Sequence, residues 1–198
     1  MKAFVPVLLG LCLLAGAAQA GRAVKQRKPT GKELAAVKEA TSGKELIPKK
    51  TVYVASKSSG IFFFAPTLDF TARPPLQLNL VQDKKILATL APSPGDKSWP
   101  VLRFEGALFK DVNEDGFDDV VTLTRYMPVS GPKANEVFNQ AALYLGRGGK
   151  AFELVTGEVH DALNQTPPSS LGEVQKRLKK LGKQKLSLPA RVSTGPKN

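Results

Sequence analysis

Apolar and polar residues alternate with a period of two through the middle of this chain. Leu76, Leu78 and Leu80 alternate with Gln77 and Asn79, as in a strand with one face buried and the other wet. The same reading places strands at 51–55 and 60–65, joined by Ser56-Lys57-Ser58-Ser59, with Val52, Val54, Phe62 and Phe64 as core residues. Residues 86–90 form a hairpin partner for 76–80 across Gln82-Asp83-Lys84. A strand over 101–110 puts Leu102, Phe104 and Leu108 on one face, with Gly106 marking a bulge. Strands at 120–126 and 141–145 follow, and a tight turn at 146–149 returns the chain along 150–155. The segments 91–100 and 127–138 are rich in Pro and Gly and read as loops, with Trp99 closing the end of a sheet.

The period changes at both ends. Residues 31–40 suit a short helix that Gly43 and Pro48 prevent from continuing. Ser170-Leu171-Gly172-Glu173 has the form of a capping box. It opens a helix whose Leu171, Val174, Leu178 and Leu181 share one side while Lys176, Arg177, Lys179, Lys180 and Lys183 fill the others. That stripe either docks on the β core or lies on a membrane surface, and docking is the commoner use. The expected fold is mainly β, with antiparallel sheets in a sandwich or partial propeller-like arrangement and a C-terminal amphipathic helix.

Composition changes the picture at the ends. Lys2 followed by the apolar run 5–18 and Ala18-Gln19-Ala20 has the form of an export signal cleaved before Gly21. The run is short for a bilayer span of ~20 residues and contains Pro6. Cleavage removes Cys12, the single cysteine, so an exported product would have no disulfide and would need another staple. The formal charge of +12 is concentrated in two arms: residues 21–50 hold nine Lys/Arg against three Glu, and 172–198 hold eight against one. The remaining middle is nearly neutral, which argues against specific nucleic-acid binding by the fold. The arms allow weak contact with anionic surfaces. The division expected is a signal peptide (1–20), a basic and largely disordered lead-in (21–50), a β domain (51–166), a basic helix (167–185) and a disordered tail (186–198).

One stretch carries chemistry. In 111–119, side-chain oxygens recur at positions 1, 3, 5 and 9 as Asp111, Asn113, Asp115 and Asp119, and Gly116 stands where the chain must turn sharply. Phe117, at position 7, would add its backbone carbonyl, giving the several hard oxygens that calcium prefers. An EF-hand would need a bidentate acid at position 12 and helical flanks, whereas position 12 is Thr122 and both flanks are strand-like. A solvated acidic turn is the competing reading, but it offers no reason to gather Asp111, Glu114, Asp115, Asp118 and Asp119 so closely.

Asp111-x-Asn113-x-Asp115-Gly116-x-x-Asp119 followed by Val120-Val121 resembles the FG-GAP or VCBS repeats of integrin-type propellers and exported bacterial proteins. Tyr144-Leu145-Gly146 and Gly148-Gly149-Lys150-Ala151-Phe152 resemble the close of such a unit, so the likeness covers about 101–155. It implies calcium ligands at Asp111, Asn113, Asp115, Asp119 and the Phe117 carbonyl, with Glu114 and Asp118 out of phase. A propeller needs several units, and one loop of this kind is visible, so a compact β domain is expected. Small exported proteins with one such loop include some similar to periplasmic inhibitors of peptidoglycan-cleaving enzymes, which implies a binding role.

An enzymatic role has little to stand on in the sequence. His160 is the sole histidine, so a His-rich zinc site is impossible and a Ser-His-Asp triad would have to use it. It is expected at the surface of a short helix. Two carboxylates could still cleave a glycosidic bond, which keeps a calcium-dependent hydrolase of envelope glycans as the alternative. The leading expectation is an exported, non-enzymatic calcium-binding protein of the periplasm or cell envelope. Its partner would be a protein or envelope polymer, met through the loops beside the ion, 127–138 above all.

Overall fold

The computed structural model describes residues 24–131, 134–182 and Leu186. The expected signal peptide lies outside those residues, as does the expected tail apart from Leu186. The chain runs through β1 (Lys25–Arg27), α1 (Gly31–Ala40), β2 (Glu45–Leu46), a 3-10 turn (Pro48–Lys50), β3 (Val52–Ser56), β4 (Gly60–Leu68), β5 (Leu76–Gln82) and β6 (Lys85–Thr89). These strands form the first sheet, in the order β1-β3-β4-β5-β6 with β2 against β4. After α2 (Pro94–Ser98) come β7 (Val101–Lys110), β8 (Asp119–Tyr126), β9 (Phe138–Gly146) and β10 (Phe152–Leu154). They form a second sheet in the order β10-β9-β8-β7, and all pairings in both sheets are antiparallel. The helices α3 (Glu158–Asn164) and α4 (Leu171–Leu181) follow.

The two sheets pack face to face. Val54, Phe62, Phe64 and Leu80 of the first meet Phe104, Phe109, Val120 and Tyr144 of the second in one buried cluster. Phe109 stands edge-on to Phe62 and Phe64, with ring centroids 5.7 and 5.3 Å apart, a geometry that adds about 0.5–1.5 kcal/mol per pair to simple burial. The outer face of the second sheet presents Val121, Leu123, Leu143 and Leu145 to Leu163 of α3 and to Val174 and Leu178 of α4. On the far side, Val37 of α1 packs with Ala65 and Val81 on the outer face of the first sheet. The result is a sandwich with helices on both outer faces. Because β8 is covered on both sides, it is buried almost without interruption and does not alternate.

The C-terminal helix docks its apolar stripe as expected, and among the described residues it covers Leu171–Leu181 of the expected 167–185. Ser170 Oγ accepts from the Glu173 N–H at 3.3 Å. The Glu173 carboxylate reaches back to Ser169, not Ser170, accepting from its N–H and hydroxyl at 2.8 and 2.9 Å. Those bonds, with Arg177 beside them, hold the Glu173 carboxyl down at about 2. Leu186, expected in a disordered tail, is buried in the same cluster. Among the described residues, no helix is long and apolar enough to cross a membrane.

Three expectations are corrected. The segment expected to be a largely disordered lead-in is built into the fold from residue 24 onward: β1 pairs with β3, and Val37 is fully buried. Thr30 and Glu33 form a reciprocal capping box on α1, with bonds of 3.4 and 2.7 Å, and Arg27 pairs with Glu33 at 2.6 Å while lying over the Tyr53 ring. One deeply inserted valine and a good cap substitute here for a broad apolar face. In β7, Leu102, Phe104 and Leu108 do not share a face. Register slips on either side of Arg103-Phe104 add two unpaired residues, so Phe104 and Phe109 point to the inner core, Leu108 to the outer cluster, and Leu102 is 52% exposed. His160, expected at the surface, is only 7% exposed on the buried side of α3, and burial pushes its pKa down.

The bulged register predicts opposite outcomes for two neighbouring apolar residues. Phe104→Ala should cost about 3–5 kcal/mol and Leu102→Ala less than about 0.5 kcal/mol in urea denaturation; equal losses would contradict the register. For Glu173, the pKa depressed below its ordinary 4.5 makes its stabilisation complete above that value and lost as pH falls toward 2. Thermal melts of the parent protein and Glu173→Gln should therefore converge as pH drops through that window; a constant separation would refute the assignment.

Candidate metal centre

The 111–119 loop leaves β7 after Lys110 and enters β8 at Asp119, and these two residues are the last pair in register. Short polar side chains bonded to nearby backbone curl the chain between them. Gly116 N–H donates to Asp111 Oδ2 at 3.0 Å, Asp115 N–H to Asn113 Oδ1 at 3.3 Å, and Phe117 N–H to Asp115 Oδ1 at 2.9 Å. Asn113 Nδ2 also donates to Asp115 Oδ2 at 2.9 Å. Gly116 has φ of 90° with open space around it, so the backbone conformation rather than crowding selects glycine there.

Asp119 closes the loop and has no exposed surface. Its Oδ2 accepts from the Val112 N–H at 2.8 Å and its Oδ1 from the Gly146 N–H at 2.9 Å. Loss of hydration pushes its pKa up to about 7 despite those bonds, and the negative charges of Asp115 and Asp111 push the same way. Asp111 Oδ1 is buried and has no hydrogen-bond partner. A buried carboxylate oxygen without a donor, close to a buried carboxyl that resists ionisation, is the environment that a hard cation relieves.

The donor set fits calcium in kind: three carboxylates, an amide oxygen and a backbone carbonyl. It is not drawn together as a finished cage. Among the described residues, no three His, Cys, Asp or Glu side chains converge closely enough to hold a metal ion. The set's side-chain oxygens are instead engaged by N–H groups of the loop and, at Asp119 Oδ1, of Gly146, apart from Asp111 Oδ1.

Asp118, expected to be out of phase with the ligands, has a different role. Its carboxylate accepts from the hydroxyls of Ser56 and Ser58, the latter at 3.2 Å, and its N–H donates to Ser58 Oγ at 3.0 Å. Both serines belong to the β3–β4 hairpin of the first sheet, so Asp118 latches one sheet to the other. The β9–β10 turn joins them: Gly149 N–H donates to the Ser58 carbonyl at 3.1 Å, and Lys150 Nζ donates to the Ser59 carbonyl. Phe117 lies over this turn, where a Cβ on Gly148 would come 3.2 Å from its ring and a Cβ on Gly146 only 2.4 Å from the Asp118 carbonyl.

The loop is legible in the sequence, and its supports, Ser56, Ser58 and Gly146, are not. The serine-rich 56–59 hairpin and the glycine-rich 146–149 turn were visible only as turns. Neither pattern specifies that it meets an aspartate, 60 residues away for Ser58 and 27 for Gly146. No family model matches the chain, and no match was found among curated proteins or solved structures.

The latch predicts energetic coupling. Asp118→Ala should cost about 1–3 kcal/mol, and combining it with Ser56→Ala and Ser58→Ala should cost less than the separate losses summed. Urea denaturation of all variants in chelator measures the difference; strict additivity would show that the contact stores no energy.

Proposed function

We propose that this chain is an exported, non-enzymatic binding or structural protein of the cell envelope, stabilised by calcium in a single FG-GAP/VCBS-type unit over 101–155. The observation that carries the calcium reading is the buried, unpartnered Oδ1 of Asp111 in the loop closed by the buried Asp119. Asp111, Asn113, Asp115, Asp119 and the Phe117 carbonyl would hold the ion. A bound divalent cation would offset the mutual repulsion of the three carboxylates and the poor hydration of Asp111 Oδ1 and Asp119, and its chemistry would be structural. Export is supported by the charged, apolar and small-residue pattern of 1–20. A binding role, such as inhibition of a peptidoglycan-cleaving enzyme, is supported by the resemblance of the loop unit.

Calcium at ~100 times its dissociation constant should add about 2.7 kcal/mol to stability. For a domain of this size that raises the melting temperature by roughly 5–10 °C relative to chelator. Asp115→Ala and Asp111→Asn should abolish most of the rise while leaving the chelated protein folded. Differential scanning calorimetry in calcium, magnesium and chelator tests this, and identical melts in all three would overturn the calcium reading.

A further inference from the structure

A cleft of about 520 Å³ opens between the 69–75 turn and α2, lined by Phe70, Arg73, Pro74, Pro75, Lys97 and Trp99 among others. Its volume lies in the range of ligand pockets. Phe70 is 76% exposed, more than any other large apolar side chain described. The walls are already set. In the turn, Asp69 N–H donates to the Pro75 carbonyl at 2.8 Å, and Asp69 Oδ1 accepts from the Thr71 N–H at 3.0 Å. Trp99 is held against Phe138 and Tyr126, with ring centroids 5.0 and 5.9 Å away. Prolines and braced aromatics lose little freedom when a ligand arrives, so binding energy is not spent on ordering them.

Among the described residues the charge of the cleft is one-sided: Arg73 and Lys97 line it, no acid does, and neither cation forms an ion pair. The apolar surface also continues beyond it. Pro100 on the cleft's edge accepts from the Met127 N–H at 3.3 Å, and the loop that begins there exposes Val129 and Val137. That extension suits a polypeptide better than a small anion. A second copy of the chain, itself carrying +12, would meet like charge.

We propose that this cleft docks an acidic segment of a protein partner, which seats an apolar side chain against Phe70 and Trp99 while its carboxylates face Arg73 and Lys97. The proposal rests on the reading of the chain as a binding protein and is independent of the calcium loop.

Trp99 is the single tryptophan of the chain, so its fluorescence reports directly on the cleft. The probe is an end-blocked pentapeptide with a central phenylalanine flanked on each side by two acidic residues. It is titrated into the full chain beside a counterpart with lysines in place of the acids and beside polygalacturonate, in calcium and again in chelator. A saturable change with the acidic peptide alone is expected, weakened about tenfold or more by Arg73→Glu with Lys97→Glu. Phe70→Ala should weaken it too, and since these three side chains are exposed, melting temperatures should be unchanged. The proposal is overturned by no saturable change up to about 1 mM peptide, by equal response to the lysine peptide, by indifference to the substitutions, or by response to polygalacturonate only. Calcium-dependent melting is read separately, so failure of the cleft and failure of the metal site are distinguishable.

Discussion

The Asp119 carboxylate is the fixed point of the functional end of this molecule. It sits at zero exposure, and its two oxygens accept from Val112 at the start of the acidic loop and from Gly146 at the end of β9. Hydrogen bonds to a charged group contribute about 1.5–3 kcal/mol each, while burying an ion costs several. The two are close to balance, and a carboxyl pushed up to about 7 expresses that balance. The loop's entry, its exit and the neighbouring turn therefore share one anchor whose own charge is barely sustained by the protein alone.

Adjacent aspartates divide the work by the alternation of a strand. Asp119 points into the second sheet's end, and Asp118 points across to the hairpin of the first. Lys150 strengthens the crossing by donating to the Ser59 carbonyl and lying 5.0 Å above the Phe62 ring, and partial burial lowers its pKa. Three turns from distant parts of the chain thus meet around the loop. Rigidity there comes from polar contacts at the rim of a core that is otherwise aromatic and aliphatic.

Much of the fold was legible because strand composition and alternation, helix periodicity and caps are local signals. The strands at 76–82 and 119–126, the short helix at 31–40 and the docked stripe of α4 all follow from neighbouring residues. Features set by distant contacts were not legible. A single valine, Val37, ties the N-terminal segment down because Ala65 and Val81 leave a place for it. Two bulges in β7 reverse its facing, and only the partner strand reveals them. At the site, the oxygen spacing was readable, but the burial of Asp119 depends on the turn of β9–β10. The role of Asp118 depends on serines sixty residues earlier.

The position of β1 gives the basic N-terminal arm a second meaning. Lys25, Gln26 and Arg27 are all exposed along what is, among the described residues, an edge of the first sheet, and an open edge is a template for pairing with another chain. The other edges are guarded in their own ways: β6 begins with Lys85, β10 has three residues, and β7 is bulged twice. Positive charge that looks like a tail's solvation in the sequence thus stands, in the fold, where it discourages strand-to-strand association. A sheet with no disulfide to restrain it keeps its strands to itself by electrostatics and irregularity.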